Sequence, residues 1–307
     1  MGAAQDRSKP AGTPSGGSAP HDVGRVGAGD SAPVDYLLHL ADNALVLGQR
    51  NAEWCGHGPI LEEDLALANH ALDHLGQARL LYQHAARCIN AEPAQAQRFA
   101  HLQGARADGA LTEDSLAYFR ATHEFRNFTL LELPHHGPLA GPARADRDFA
   151  TTTVRNVLYA ALMNLWWERL QASADPQLAA IAAKSLKEVR YHLSHAGDWL
   201  VRLGDGTDES RARAQAALDH LMPHTQEFWT GDEAESAAVA NGTGVALAEL
   251  KPAWDALLDE VLAEATLRRP ADGGYVTQGK RGLHSEHMGF LLAEMQSLAR
   301  EHPQAVW

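Results

Sequence analysis

Cysteine is nearly missing from this chain: Cys55 and Cys88 are the only two in 307 residues. Two thiols without a secretion signal give no disulfide framework and point to a reducing cytoplasm. No apolar run approaches the roughly 20 residues of a membrane span, so no membrane contact is expected. Positive charge is in deficit. Against 39 Asp and Glu stand 26 Lys and Arg, a net charge of −13, which argues against a nucleic-acid partner. No stretch alternates apolar and polar residues for long, so strands are not expected. A Ser/His/Asp order, a phosphate loop and a Rossmann glycine pattern are all missing. Gly204-Asp205-Gly206 follows a helical pattern and lacks the strand that a nucleotide loop needs.

What remains is long, Ala- and Leu-rich and helical in period. The length suffices for one large domain with a substantial core. Residues 1–33 are rich in Gly, Ala, Ser and Pro, have no apolar block and read as a disordered tail. Residues 34–307 read as an all-α domain.

The organising element is expected at residues 175–204. Asp175 can N-cap it, Pro176 suits its first turn and Gly204 ends it. Leu178, Ala182, Ser185, Val189, His192, Ala196, Trp199 and Leu203 recur at steps of three and four and form one face. Before it, a helix from residue 35 carries Leu37, Leu40, Ala44, Leu47, Asn51 and Trp54. A second, residues 61–88, is expected to turn Leu61, Leu65, Ala68, Leu72 and Leu75 inward, with His70, His74 and Gln77 on a neighbouring stripe. Residues 90–110 form a connection. Thr112 caps a third helix, expected to run unbroken through Leu116, Phe119, Phe125, Phe128 and Leu131 to Pro134. A loop over 134–147 leads to a helix over 148–173. Thr207 caps a helix over 208–220, Pro223 ends or bends it, and 230–244 reads as a surface loop. Helices around Trp254 and over 283–300 complete the chain, separated by a loop over 273–282.

The central face invites a metal reading. A di-iron carboxylate bundle needs a carboxylate on each of two helices and Glu-x-x-His on each of two others, so that i and i+3 reach one metal pair. Each slot falls short here. The first helix offers Asp42, off the apolar face, or Glu53 near its end. The second offers His74-x-x-Gln77, with Asp73 adjacent. The fourth offers Asn156 and Asn164, and no acid before Glu168. The central helix offers Val189-x-x-His192, with Glu188 about 100° around the axis. His74, Gln77, Val189 and His192 therefore read as degenerate di-iron positions, whose polar members hydrogen-bond inside the bundle. No catalytic or cofactor-binding residue is assigned. His284, His287 and Glu294 share a spacing but lack a matching second cluster, so they read as capping and hydrogen-bonding groups. Glu124, Arg126, Asn127 and Glu132 read as a buried salt bridge or a docking surface. Trp54, Trp229 and Trp307, near helix ends, read as candidate interface residues.

Several runs carry a resemblance. They include residues 40–50, Glu53-Trp-Cys-Gly-His57, residues 71–79, Phe125-Arg-Asn127, Lys187-Glu-Val-Arg-Tyr-His192 and residues 198–207. Gly282-Leu-His-Ser-Glu-His287 and Leu292-Ala-Glu-Met-Gln296 continue the series. Over residues 34–307 the chain resembles the C-subunit family of the ring-1,2-phenylacetyl-CoA epoxidase, also called phenylacetate-CoA oxygenase subunit PaaC. The resemblance implies a ferritin-like bundle with additional C-terminal helices. It implies partners: a paralogous catalytic A subunit holding the di-iron centre, a small B subunit, and a reductase carrying FAD and an iron–sulfur cluster. It implies no cofactor in this chain. The A subunit's Asp-Glu-Leu-Gly-His is similar to Asp73-His74-Leu75-Gly76-Gln77, with both ligand positions changed. Its Lys-Glu-Glu-Ala-Phe-His is similar to residues 187–192, with one of two changed. The implied role is a non-catalytic structural subunit of the complex. A CoA-ester binding module and a self-sufficient di-iron enzyme are the alternatives.

Overall fold

The structure, a computed structural model, describes residues 31–102, 109–137, 147–271, 273 and 275–305. Residues 1–30 of the expected tail, 138–146 of the expected loop and Trp307 lie outside them. Ala32 is already buried, and its N–H donates to the Asp175 carboxylate at 2.9 Å. The packed chain thus includes Ala32, two residues ahead of the expected boundary.

Among the described residues the fold is all-α, with a single isolated bridge between Gln278 and Leu283. The first two helices are α1 (Val34–Ala52) and α2 (Leu61–Ala91). The short α3 (Pro93–Arg98) lies within the expected connection, with Pro93 in its first turn. Next come α4 (Glu113–Tyr118) and α5 (Thr129–Glu132), then the long α6 (Phe149–Leu170) and α7 (Pro176–Gly204). The C-terminal part holds α8 (Asp208–Leu221), α9 (Glu233–Ala240), α10 (Lys251–Glu264) and α11 (Glu286–Glu301). The four long helices make the bundle: α1 lies along α2, α6 along α7, and α2 meets α7. This is the ferritin-like arrangement, and α8–α11 are the additional helices.

The expected caps form. Asp175 accepts the N–H groups of Gln177 and Leu178, and Thr112 and Thr207 each form a capping box with a serine. Leu178, Ala182, Ser185, Val189, His192 and Ala196 of α7 are buried as the periodicity predicts, while Trp199 and Leu203 are half-buried. Yet α7 is not the centre. Of the 19 residues of α1, 16 are buried, and 17 of the 22 in α6, so these two are wrapped on nearly every side.

Three expectations are corrected. The third helix does not run unbroken from Thr112. It ends at Tyr118, resumes as a 3₁₀ turn at Thr122–Glu124 and again as α5. The cause is tertiary. Asp42 accepts the Arg126 N–H at 2.7 Å, Asn43 accepts that of Phe128 at 2.8 Å, and Glu227 accepts that of Thr129 at 2.9 Å. Buried side chains from α1 and the C-terminal part replace helical carbonyls as acceptors, so the segment extends. Second, 230–244 is not simply a surface loop. Asp232 caps α9 by accepting the Glu235 N–H, and Glu235 in turn pairs with the buried Lys280 at 3.3 Å. Third, α2 turns the other way. Leu61, Leu65 and Leu72 are 70, 57 and 66% exposed, whereas Leu67, His70, Ala71, His74, Gln77 and Ala78 face inward.

Close packing sets one sharp expectation. A Cβ at Gly204 would collide with the Ala265 carbonyl. Gly204→Ala is expected to cost about 1–3 kcal/mol, read as a lower urea midpoint at unchanged slope.

The interior also fixes a pH dependence. Burial holds His39 down to about 4, with Lys280 adding to the effect. It is neutral when folded and must gain a proton on unfolding in mild acid. That stability is present above about 6.5 and is lost as the pH falls from there toward 4, roughly 2 kcal/mol by pH 5. His84 behaves oppositely. Burial works against its charge, but the Asp175 carboxylate at 2.6 Å outweighs this and raises it to about 9. Its contribution is full below about 6.5 and is lost as pH rises through 9. Urea midpoints should therefore fall on both sides of neutrality. His39→Gln should make the acid limb shallower without removing it, because burial also holds His70, His74 and His135 down, and should leave the alkaline limb unchanged.

Candidate functional site: the seam between α2 and α7

The seam is built by two antiparallel faces. On α2, His70, Asp73, His74 and Gln77 fall at helical steps of three and four, and on α7 Glu188, His192 and His195 do the same. The pairs interlock. Gln77 Nε2 donates to Glu188 Oε2 at 2.9 Å, and Lys184 holds the other Glu188 oxygen at 2.6 Å. His192 Nε2 lies 2.9 Å from Asp73 Oδ2, and His195 Nε2 lies 3.0 Å from Glu63 Oε2. Ring centroids run His74 to His192 at 4.9 Å, His192 to His70 at 4.2 Å and His70 to His195 at 4.8 Å. Burial, followed by the neighbouring imidazoles, holds His70 and His74 well below their ordinary range, so both are neutral. Burial raises Tyr159 of α6, whose ring faces His74 at 6.2 Å.

His74, Gln77, Val189 and His192 are thus brought together as the spacing predicts, and all four are buried. They do not make a dinuclear site. The α1 residue facing them is Gly48, where a Cβ would lie 3.3 Å from His74 Cβ, so this position supplies no ligand. Asp42 is fully buried but points elsewhere. Arg120 grips both its oxygens, and Tyr82 donates to it at 2.5 Å. Glu53 pairs with Arg50 at 2.6 Å. On α6, Asn156 is buried with its Oδ1 unpartnered, Asn164 is half-buried, and Glu168 is exposed. Among the described residues no three His, Cys, Asp or Glu side chains stand so as to hold a metal ion. Dinuclear iron needs carboxylates from four helices, and the donors present do not fit it.

The other singled-out residues are spread over the fold. His284 precedes α11 rather than lying on it. Glu132 Oε2 accepts from its ring at 2.7 Å, and the Phe125 carbonyl stands 3.0 Å from its other nitrogen. Glu132 and Asn127 are buried, and Asn127 Nδ2 donates to Glu132 at 3.0 Å, whereas Glu124 and Arg126 are half-buried and pair with His101 and Asp35, so the four do not form one bridge. His287 is half-buried and Glu294 exposed. Of the tryptophans expected at an interface that the structure describes, Trp54 is buried and Trp229 half-buried. Besides Val239, Tyr275, Leu283, Phe290 and Leu298 in the C-terminal part, exposed apolar groups include Ile60, Leu61, Leu65 and Leu72 of the α2 side and Tyr191 of α7. Sequence reasoning missed this face although its period was visible. His70 and His195, at the heart of the seam, were also missed as a pair, because they lie on different helices.

Fold and seam define a ferritin-like helical bundle whose α2–α7 seam is lined by His74, Gln77, Val189 and His192. Comparison with known proteins gives the family. Residues 26–307 match the family described as Phenylacetic acid catabolic protein, and the chain belongs to it. It is similar to the C subunit of the 1,2-phenylacetyl-CoA epoxidase of Escherichia coli strain K12. The two are 42% identical over 272 residues, covering 89% of this chain and 98% of the relative.

Restoring the lost ligands should not restore a centre. The triple variant His74→Glu, Gln77→His, Val189→Glu is expected to bind no stoichiometric iron and to show no oxygenase turnover. The positions on α1 and α6 still lack carboxylates, and a half-built buried site costs stability. Iron analysis after purification and a melting curve check this.

Proposed function

We propose that this chain is the non-catalytic structural subunit of a multicomponent ring-1,2-phenylacetyl-CoA epoxidase in cytoplasmic phenylacetate catabolism. Its partner is a paralogous A subunit that holds the di-iron centre. A small B subunit joins them, and a reductase with FAD and an iron–sulfur cluster delivers electrons. One observation carries the reading: the positions where dinuclear iron would sit hold His74, Gln77, Val189 and His192, with Gln77 bonded to Glu188, His192 to Asp73, and Gly48 of α1 against His74. The chain keeps the frame of an oxygenase bundle and lacks the ligands for its chemistry.

The face for the partner follows. Leu61, Leu65 and Leu72 present an exposed apolar stripe on the outer face of α2, turned away from α7, and Arg79 of the same helix is exposed. An exposed apolar stripe of this kind on one helix face marks an interaction site. A related bundle with an equivalent apolar helix face fits it as a pseudo-symmetric dimer. The test is co-expression with an A-type subunit, followed by sizing and epoxidase assay. A stable pair, with turnover that needs both chains, is the expected result. A monomer that ignores the A subunit, while that subunit keeps full activity alone, overturns the reading.

A further inference from the structure

The outer face of α11 is turned to solvent, and Phe290 stands on it 72% exposed. The inner face buries Met288, Leu291, Leu292 and Gln296. Glu286, Gly289, Phe290, Ala293, Ser297 and Arg300 are exposed and fall within about 100° of arc around the helix axis. A solvated helix face is ordinarily polar throughout. Of these six residues only the first and the last are charged. Between them an aromatic ring stands among three small residues, and a Cβ added at Gly289 would meet nothing within 4 Å. A groove of about 350 Å³ lies between the small residues and the Ala121–Thr122 turn.

The charges decide what fits. Glu286 and Arg300 lie two heptads apart, with Ala293 midway between them. The face is therefore self-complementary about a two-fold axis through Ala293. In an antiparallel pair Glu286 of one copy meets Arg300 of the other, and this happens twice. Phe290 of each copy lies over Ala293 and Ser297 of the other, where small side chains leave room and let the axes approach closely. A parallel pair would instead set like charges against each other at both ends. Arg300 is already held in place: Nε donates to Gln296 at 3.1 Å, and Nη2 donates to the carbonyls of Phe119 at 3.2 Å and Arg120 at 2.9 Å. Glu294 falls about 100° around the axis from Ala293, on the rim, where the charges of both copies stay hydrated.

We propose that this face binds a second copy of this chain, as an antiparallel α11 pair about a two-fold axis at Ala293. The contact runs over about four helical turns, at the small end of specific interfaces, so the dimer has a micromolar dissociation constant. The face is separate from the α2 stripe assigned to the A-type partner, and the proposal does not depend on the chain's being an epoxidase subunit.

The experiment is sedimentation of the full chain alone over a micromolar concentration series. A monomer–dimer equilibrium is expected. Phe290→Glu should weaken dimerisation about tenfold or more, at an unchanged melting temperature because the ring is exposed. Leu65→Glu with Leu72→Glu should leave self-association unchanged. In a Cys55→Ser background, which removes the exposed thiol, Ala293→Cys should give a disulfide-linked dimer on mild oxidation, because the two-fold axis sets the two Cβ atoms face to face. Glu260→Cys, exposed on α10, should give none. A chain that stays monomeric throughout the series overturns the proposal. So does a dimer that survives Phe290→Glu and is not linked through Ala293→Cys, or one lost instead with the α2 variant, which would place the second copy on α2.

Discussion

Asp42→Ala is expected to lower stability by about 3–5 kcal/mol, the cost of stranding a buried charge. Asp42 and Arg120 are both fully buried and make a bidentate pair. Removing the carboxylate leaves the guanidinium without a counter-ion and also deprives the Tyr82 hydroxyl and the Arg126 N–H of their acceptor. The second loss matters for architecture, because the Arg126 contact helps hold residues 125–128 extended. The melting temperature should fall by roughly 10 °C for a domain of this size. Urea unfolding measures the effect, and the double variant Asp42→Ala, Arg120→Met sharpens it. Replacing the pair with apolar groups should recover much of the loss, since a buried pair gives little net stability over a well-packed apolar one. Recovery should be partial, because the Arg126 N–H remains unsatisfied. A loss under about 1 kcal/mol in the single variant would mean that water reaches Arg120.

Leu65→Glu with Leu72→Glu should abolish association with an A-type partner while leaving the free chain as stable as before. Both side chains are more than half exposed, so the folded monomer loses little. In a packed interface each would bury an unpaired carboxylate. Hot-spot truncations cost about 2 kcal/mol or more, so the pair of charges should weaken binding by at least about 100-fold. Sedimentation of the mixed subunits gives the affinity, and a melting curve gives the stability. Phe290→Glu, an exposed apolar residue of α11, is the control and should not change affinity. If the Phe290 variant loses the partner and the α2 variant keeps it, the docking face lies on α11.

Much of the bundle is legible in the residue pattern. Asp175, Thr112 and Thr207 cap where their side chains predict, because a cap is a local contact over two or three residues. The α7 stripe from Leu178 to Ala196 is buried because its apolar period is uncontested. The α2 pattern is contested. Leu61, Leu65, Leu72 and Leu75 form one stripe and His70, His74 and Gln77 another. Hydrophobicity alone favours the leucines. The histidines face inward because α7 presents His192 and Glu188 to them. The expectation of an unbroken third helix failed for a similar reason. Its propensity is helical, but Asp42, Asn43 and Glu227 bind its N–H groups from about 85 to 100 residues away.

The sequence by itself determined the all-α class, most helix starts and stops, and that His74, Gln77 and Val189 are not the Glu, His and Glu that two Glu-x-x-His slots require. These depend on residue type and on spacing within one helix. Only the tertiary structure decided which face of α2 is buried, that Asp42 serves Arg120 rather than the seam, and that Gly48 stands opposite His74. It alone brought Glu63, His70 and His195 together. A helical period fixes the direction of a side chain about its own axis, but not which neighbour that direction meets. The rotation of each helix against the others is set by the whole core at once.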